Sequence, residues 1–158
     1  MIKSAMKPNT YTQLLIHLVF AVKHRNCLLN KPQQTEVWKY MAGTINGLGH
    51  KCLIVNGISN HVHALFGLNP VMSISDIARD LKRSSAIFIK DKNWFRMPFH
   101  WQDGYGAFSY SKSQLKDIYA YIENQEEHHR KKTFKEEYLE LLNDFGIEYH
   151  EKYLFSEI

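Results

Sequence analysis

Cysteine is scarce in this 158-residue chain: Cys27 and Cys52 are the only two, far apart and in no Cys-x-x-Cys pair. That excludes a disulfide framework and a thiolate zinc knuckle, and implies two free thiols in a reducing compartment. Long apolar runs are also missing. No stretch approaches the roughly 20 residues needed to span a bilayer, and the N-terminal MIKSAMKPNTYTQ has no signal-peptide apolar region, so a cytoplasmic location is expected. There is no Walker A loop, no internal repeat and no low-complexity stretch.

What is present is an ordinary globular composition, 44% hydrophobic and 23% charged. One domain over residues 1–158 is expected, with 1–10 as an N-terminal extension and 146–158 as a C-terminal tail. The net charge is +4 and unevenly spread. Arg79, Lys82, Arg83, Lys90, Lys92 and Arg96 stand against Asp80 and Asp91, a surplus as large as that of the whole chain, with Trp94 and Phe95 beside it. Basic groups interleaved with aromatics suit a phosphate backbone with bases to stack on. A solvated helix face above core aromatics accounts for the same pattern equally well.

The apolar periodicity predicts strand, helix, strand, strand, helix, strand and then further helices. TQLLIHLVFAVK (12–23) reads as a strand. The next helix opens at Asn30 as N-cap with Pro32 in its first turn and ends near Gly47 and Gly49. KCLIVNG and HVHALFGL form a hairpin pattern. Ile74, Ile77, Ala78 and Leu81 recur at helical spacing within SISDIARDLKRSSAIFIKD (73–91). YGAFSYS supplies a fourth strand. Ser111 with Gln114 opens one long helix, SQLKDIYAYIENQEEHHRK, and Thr133 with Glu136 opens another that Gly146 ends. The order βαββαβ implies an α+β, ferredoxin-like (RRM-like) antiparallel sheet with helices on one face and additional C-terminal helices. That fold alone decides no function.

Within NHVHALF, His61 and His63 are two apart on a strand and therefore share a face, with Val62 turned toward the helices. Paired imidazoles on rigid backbone make half of a divalent-metal site, and equally a hydrogen-bonded pair with no metal. In YIENQ, Tyr121 and Gln125 are four apart on one helical face. A tyrosine hydroxyl can act as a covalent nucleophile, and an amide oxygen can ligate a hard cation. Tyr119, with Glu123 four residues on, is a rival by spacing. His17 reads as a satisfied strand histidine. His128 and His129, with Arg130, Lys131 and Lys132, read either as DNA contacts or as a polar helix end. Trp101 and Tyr105 read as packing or base-stacking residues.

Taken together, NHVHALF, KRSSA, FHWQDGYGAFSYS and YIENQEEHH…TFKEEYLELL resemble the small single-tyrosine HUH transposases of bacterial insertion sequences, with repeat-associated tyrosine transposases as close relatives. The resemblance runs from the first strand to about Tyr153. It implies that His61, His63 and Gln125 bind Mg²⁺ or Mn²⁺ and that Tyr121 is the nucleophile. It also implies single-stranded DNA hairpins as substrate, a 5′-phosphotyrosine intermediate, and a homodimer in which the tyrosine helix of one subunit can complete the site of the other. Lys82 and Arg83, with Arg79, Lys90 and Arg96, are the expected DNA-binding residues. Three alternatives stand beside this: a domesticated relative that processes chromosomal repeat hairpins, a non-catalytic single-strand binding module, and a relaxase-like nickase. Gln125 does not resemble the Lys or third His often found beside the nucleophile of such nickases.

Overall fold

Two strands explain how this molecule presents its histidines. In the computed structural model, which describes residues 9–158, β1 (Leu15–Ala21) lies antiparallel to β3 (His61–Gly67), pairing Val19 with His63 and Ala21 with His61. β3 also pairs with β2 (Lys51–Ile58), and β1 with β4 (Gly106–Tyr110), giving an antiparallel sheet in the order β2-β3-β1-β4. The strands alternate as a pleat requires. Ile16, Leu18 and Phe20 of β1 and Val62, Ala64 and Phe66 of β3 enter one core. His17, Val19, Ala21, His61, His63 and Leu65 therefore line the other face.

The first face is closed by α1 (Lys31–Gly47) and α2 (Ile74–Asp91), through Val37, Trp38, Met41 and Ile45 from one and Ile77, Ala78, Leu81 and Ile89 from the other. Their starts are encoded locally. Asn30 and Gln33 form a reciprocal capping box, and Ser73 accepts from the amide of Asp76. The predicted α+β, ferredoxin-like arrangement is the one observed.

The second face is covered by the C-terminal helices. The segment expected as one helix is two: α3 (Leu115–Glu123) and the single turn α4 (Gln125–His128), broken at Asn124. The cause is tertiary. Asn56 of β2 donates its side-chain amide to the carbonyls of Ile122 and Glu123, 2.9 and 3.1 Å away, at the end of α3. Ile118 and Ile122 of α3 pack on Leu65. α5 (Phe134–Asp144), capped by Thr133, sets Phe134, Tyr138, Leu141 and Leu142 against Val19, Ala21 and Phe108, and its end is followed by Gly146 at φ +63°.

The tail expected over 146–158 folds back. Phe155 packs against both the α1/α2 core and the α5 core, while the Gln102 side-chain amide donates to the Ser156 carbonyl at 2.9 Å and accepts from the Ser156 N–H at 2.8 Å. Most of the expected N-terminal extension, residues 1–8 of 1–10, lies outside the described residues. Among the described residues no helix is long and apolar enough to cross a membrane. Cys27 and Cys52 are both free.

Gly106 sets how closely α5 can approach the sheet. A Cβ there would stand 2.7 Å from Tyr138 Oη and 2.8 Å from its Cε1. Gly106→Ala is expected to destabilise the protein by about 1–3 kcal/mol, a loss of roughly 2–10 °C in melting temperature. Gly43→Ala, on α1 with nothing within 4 Å of the added methyl, is expected to stabilise it by about 0.5–1 kcal/mol. Thermal melts of the two variants check both signs.

Candidate active site

The centre of the second face is polar and closed. His61 and His63 are both 0% exposed, and between them and the C-terminal helices lies the carboxylate of Glu137, 1% exposed, from α5. Glu137 Oε1 is 2.9 Å from His63 Nε2 and 3.3 Å from His61 Nε2. Its Oε2 accepts from Gln125 Nε2 at 3.1 Å and from the hydroxyl of Tyr121, and lies 3.2 Å from His129 Nε2. Gln125 Oε1 in turn is 3.0 Å from His61 Nε2 and 3.1 Å from His129 Nε2. His128 Nε2 is buried without a hydrogen-bond partner, 3.3 Å from Glu137 Oε2.

The outer edge of each ring is anchored. His61 Nδ1 is 2.8 Å from Asn60 Oδ1, and His63 Nδ1 is 2.7 Å from His17 Nε2. His17 Nδ1 reaches Tyr110 Oη at 3.2 Å. His129 Nδ1 is 2.8 Å from the carbonyl of Lys132, which only accepts, so that nitrogen carries the proton. Phe134 stacks on His61, ring centroids 4.0 Å apart.

Burial dominates the electrostatics. It lowers His61 to about 4, against the opposing pull of Glu137, and lowers His17 well below the ordinary histidine value. For Glu137 burial acts upward, but the charge of His63 and hydrogen bonds from His129, His61 and His63 reverse it and hold the carboxyl below its usual range. Burial, with the neighbouring Glu137 charge, raises Tyr121 above an ordinary phenol. At neutral pH the cluster is thus an ionised carboxylate facing a protonated tyrosine.

The structure brings four sequence-predicted residues, His61, His63, Tyr121 and Gln125, into this one cluster, all from a single chain. Tyr121 and Gln125 do so from two helices rather than one. Tyr119 points elsewhere and is exposed. The basic residues lie apart. α2 packs on the opposite sheet face, with Arg79, Arg83 and Lys90 exposed on it and Arg96 exposed in the loop that follows. Arg79 pairs with Asp76 and Asp80. The Lys82 ammonium is committed to the carbonyls of Gln102 and Gly104 at 2.7 and 2.8 Å. Trp101 is a packing residue, edge-on to Phe20, with its indole N–H on Ser85 at 2.9 Å.

Sequence reasoning missed Glu137 and the inward turn of His129. The first left a signal: Glu137 shares the apolar stripe of Phe134, Tyr138 and Leu141, where an unpaired carboxylate does not belong. The second left none, because α4 is too short to show a period.

The ligand atoms of His61, His63, His129 and Glu137 all lie within 4.8 Å of one another, a donor set that a divalent cation fits. Beside it a cleft of about 480 Å³ is lined by Tyr121, Asn124, Glu127, His128, Lys131 and Lys132, so the tyrosine has an approach lined by two lysines, the second with its ammonium paired to Glu140.

Three comparisons bear on this arrangement. The family model described as "Transposase IS200 like" matches residues 10–125. No curated protein sequence matches the chain significantly. Among solved structures, a protein assigned as a transposase from Deinococcus radiodurans R1 is similar at 22% identity and TM-score 0.59, covering 77% of this chain and 98% of its own. A REP-associated tyrosine transposase solved with a REP hairpin is similar at 11% identity and TM-score 0.50, covering 77% of this chain and 70% of its own. At those identities the structural likeness is one of fold. Residues 126–158, which carry His128, His129 and Glu137, lie beyond the family match.

The burial shifts carry a sign for stability. His61 and His17 are depressed in the folded protein, so below about pH 6.5 the unfolded chain takes up protons the folded chain refuses. Glu137, also depressed, adds a loss of the same sign below about pH 4.5. The metal-free protein is therefore fully stabilised by these groups above about pH 6.5 and loses stability as the pH falls toward 4. Melting temperatures measured in chelator across that window should drop by several degrees. A flat or rising profile contradicts the buried-neutral assignment.

Proposed function

The chain belongs to the IS200-like transposase family, and from that premise we propose that it cleaves and rejoins single-stranded DNA at hairpin-bearing ends, with Tyr121 as nucleophile and His61, His63 and Gln125 holding a divalent cation, Mg²⁺ or Mn²⁺. The observation that carries the reading is the convergence of the Tyr121 hydroxyl, the two β3 imidazoles and the Gln125 amide on Glu137, with the His63 and Tyr121 rings 5.9 Å apart. When bound, the cation supplies charge neutralisation at the non-bridging oxygens of the scissile phosphate.

The protein's own groups account for the rest. Asn60 and His17 fix the ring orientations of His61 and His63. Lys131, on the rim of the Tyr121 cleft, attracts the DNA backbone, while the Lys132 ammonium beside it is paired with Glu140. Glu137 Oε2 orients the phenol by accepting its hydrogen bond, and the phenol proton leaves to solvent through the cleft as the Tyr121 oxygen–phosphorus bond forms. The bond from phosphorus to the 3′ oxygen breaks. That oxygen leaves and is protonated from solvent, and the phosphate remains joined to Tyr121 at its 5′ side. Each step exchanges one phosphodiester for another, so rejoining needs no nucleotide cofactor.

The hairpin part of the reading is supported by the fold shared with the REP-associated transposase, whose structure holds a REP hairpin. Arg79, Arg83, Lys90 and Arg96, on and just after α2, form the proposed hairpin surface, across the sheet from the cleavage site. Lys82 contributes there by tethering the 102–104 loop. From the family resemblance we also propose a single domain that acts in the cytoplasm as a homodimer. Because one chain supplies both the imidazoles and the tyrosine, dimerisation is not needed to build the cluster.

The test uses labelled single-stranded hairpin DNA with Mn²⁺ or Mg²⁺ and looks for a covalent adduct on denaturing gels. Wild type should form one. Tyr121→Phe should form none while binding DNA within about threefold of wild type, since affinity rests on phosphate contacts. His63→Ala should fall to background cleavage. An adduct that survives in Tyr121→Phe, or wild-type cleavage undiminished in EDTA, overturns the assignment. Tight binding with no adduct under any divalent ion makes the protein a binding module instead.

A further inference from the structure

We propose that Glu137 and His129 are ligands of the same cation as His61 and His63, so that the centre has three imidazoles and a carboxylate and takes a transition-metal dication in preference to Mg²⁺. The inference rests on the reading that the β3 histidines hold a cation. It goes beyond that reading in its ligands, which come from the segment the family match does not reach, and in the metal they select.

Spacing is the first support. For metal–ligand bonds of about 2.1 Å, neighbouring donors stand about 3.0 Å apart in an octahedron and about 3.4 Å apart in a tetrahedron. Glu137 Oε1 lies 2.9 Å from His63 Nε2 and 3.3 Å from His61 Nε2, and its Oε2 lies 3.2 Å from His129 Nε2. Gln125 Oε1 adds contacts of 3.0 and 3.1 Å to His61 and His129.

The second is tautomeric. A metal-ligating imidazole usually donates its other N–H to a fixed acceptor. His129 does so unambiguously, because the partner of its Nδ1 is a backbone carbonyl. His61 on Asn60 Oδ1 and His63 on His17 Nε2 follow the same plan, with His17 passing its own Nδ1 to Tyr110. With Nδ1 protonated, each ring can exchange its Nε2 hydrogen bond for a lone pair to a cation, so that three imidazoles, the carboxylate and the Gln125 amide oxygen converge as one donor set.

The third is chemical type. Mg²⁺ prefers oxygen ligands and keeps several waters, whereas imidazole nitrogen favours Mn²⁺ and the later divalent ions. A site with three imidazoles, closed to solvent, discriminates on both counts.

Metal-free full-length protein is titrated with Mn²⁺ by calorimetry, alone and in excess Mg²⁺. Wild type should bind one Mn²⁺ per chain and retain it against Mg²⁺. Glu137→Gln should weaken Mn²⁺ binding about a hundredfold and His129→Gln at least about tenfold. Glu136→Gln, at an exposed neighbour, should leave it unchanged. X-ray absorption fine structure of the Mn²⁺-loaded wild type should count three imidazoles, and it decides the matter if Glu137→Gln does not fold. Two imidazoles, a folded Glu137→Gln that binds as tightly as wild type, or displacement by Mg²⁺ overturns the inference alone. A wild type that binds no Mn²⁺ overturns the reading beneath it.

Discussion

One buried anion organises the second face of this sheet. An ionised carboxylate removed from water is strongly unfavourable unless its lone pairs are met by donors or positive charge. Glu137 is met from four segments at once: β3 through His61 and His63, α3 through Tyr121, α4 through Gln125, and the end of α4 through His129. These contacts tie the C-terminal helices to the strand they cover. They also explain why α5 sits so low on the sheet, with Phe134 stacked on His61 and Tyr138 against Gly106. A helix held only by apolar contacts could slide along the sheet. One that delivers a carboxylate into a ring of nitrogens has a single workable register.

The sheet makes that arrangement possible by dividing labour between its faces. The α1/α2 face is wholly apolar along β1 and β3, so the strands are fixed without help from the site. The polar face can then carry an unusual density of imidazole. His17 shows the benefit. It lies diagonal to His63 across the β1–β3 pair, where a long side chain reaches its neighbour. The satisfied strand histidine that the sequence suggested is correct in form, but what satisfies it is a candidate ligand, and through it the tautomer of His63 is tied to Tyr110 on β4.

Features written over a few residues were legible in the sequence. The capping pairs at Asn30–Gln33, Ser111–Gln114 and Thr133–Glu136 are all realised, as are the alternation around Val62 and the hairpin between β2 and β3. The family resemblance rested on the same local strings. Long-range contacts were not legible. No propensity distinguishes Asn124 as a break, because the group that ends α3 is the Asn56 amide, 66 positions earlier than the carbonyl of Ile122. Glu137 is the intermediate case. Its place on an apolar stripe is visible as an anomaly, but its partners lie 74 residues away at His63 and 16 at Tyr121, and a period of 3.6 says nothing about either. Local pattern thus identified which side chains were out of place and left their partners to the structure.

The same carboxylate constrains how substrate can enter. On the proposed reading, a phosphodiester approaching Tyr121 through its cleft brings negative charge toward Glu137, and like charges at short range repel. Lys131 at the rim would offset part of that, whereas the Lys132 ammonium is paired with Glu140 and neither lysine contacts Glu137 among the ion pairs of the described residues. A dication held by His61, His63 and Gln125 would supply the positive charge that offsets this repulsion. On the proposed reading, cation and DNA therefore favour one another at this site, and by reciprocity each raises the affinity of the other by the same factor. Without the cation, the tyrosine stays protonated and hydrogen-bonded to Glu137. The hydrogen bond that keeps the phenol protonated is therefore, on that reading, one that cation and DNA must loosen together.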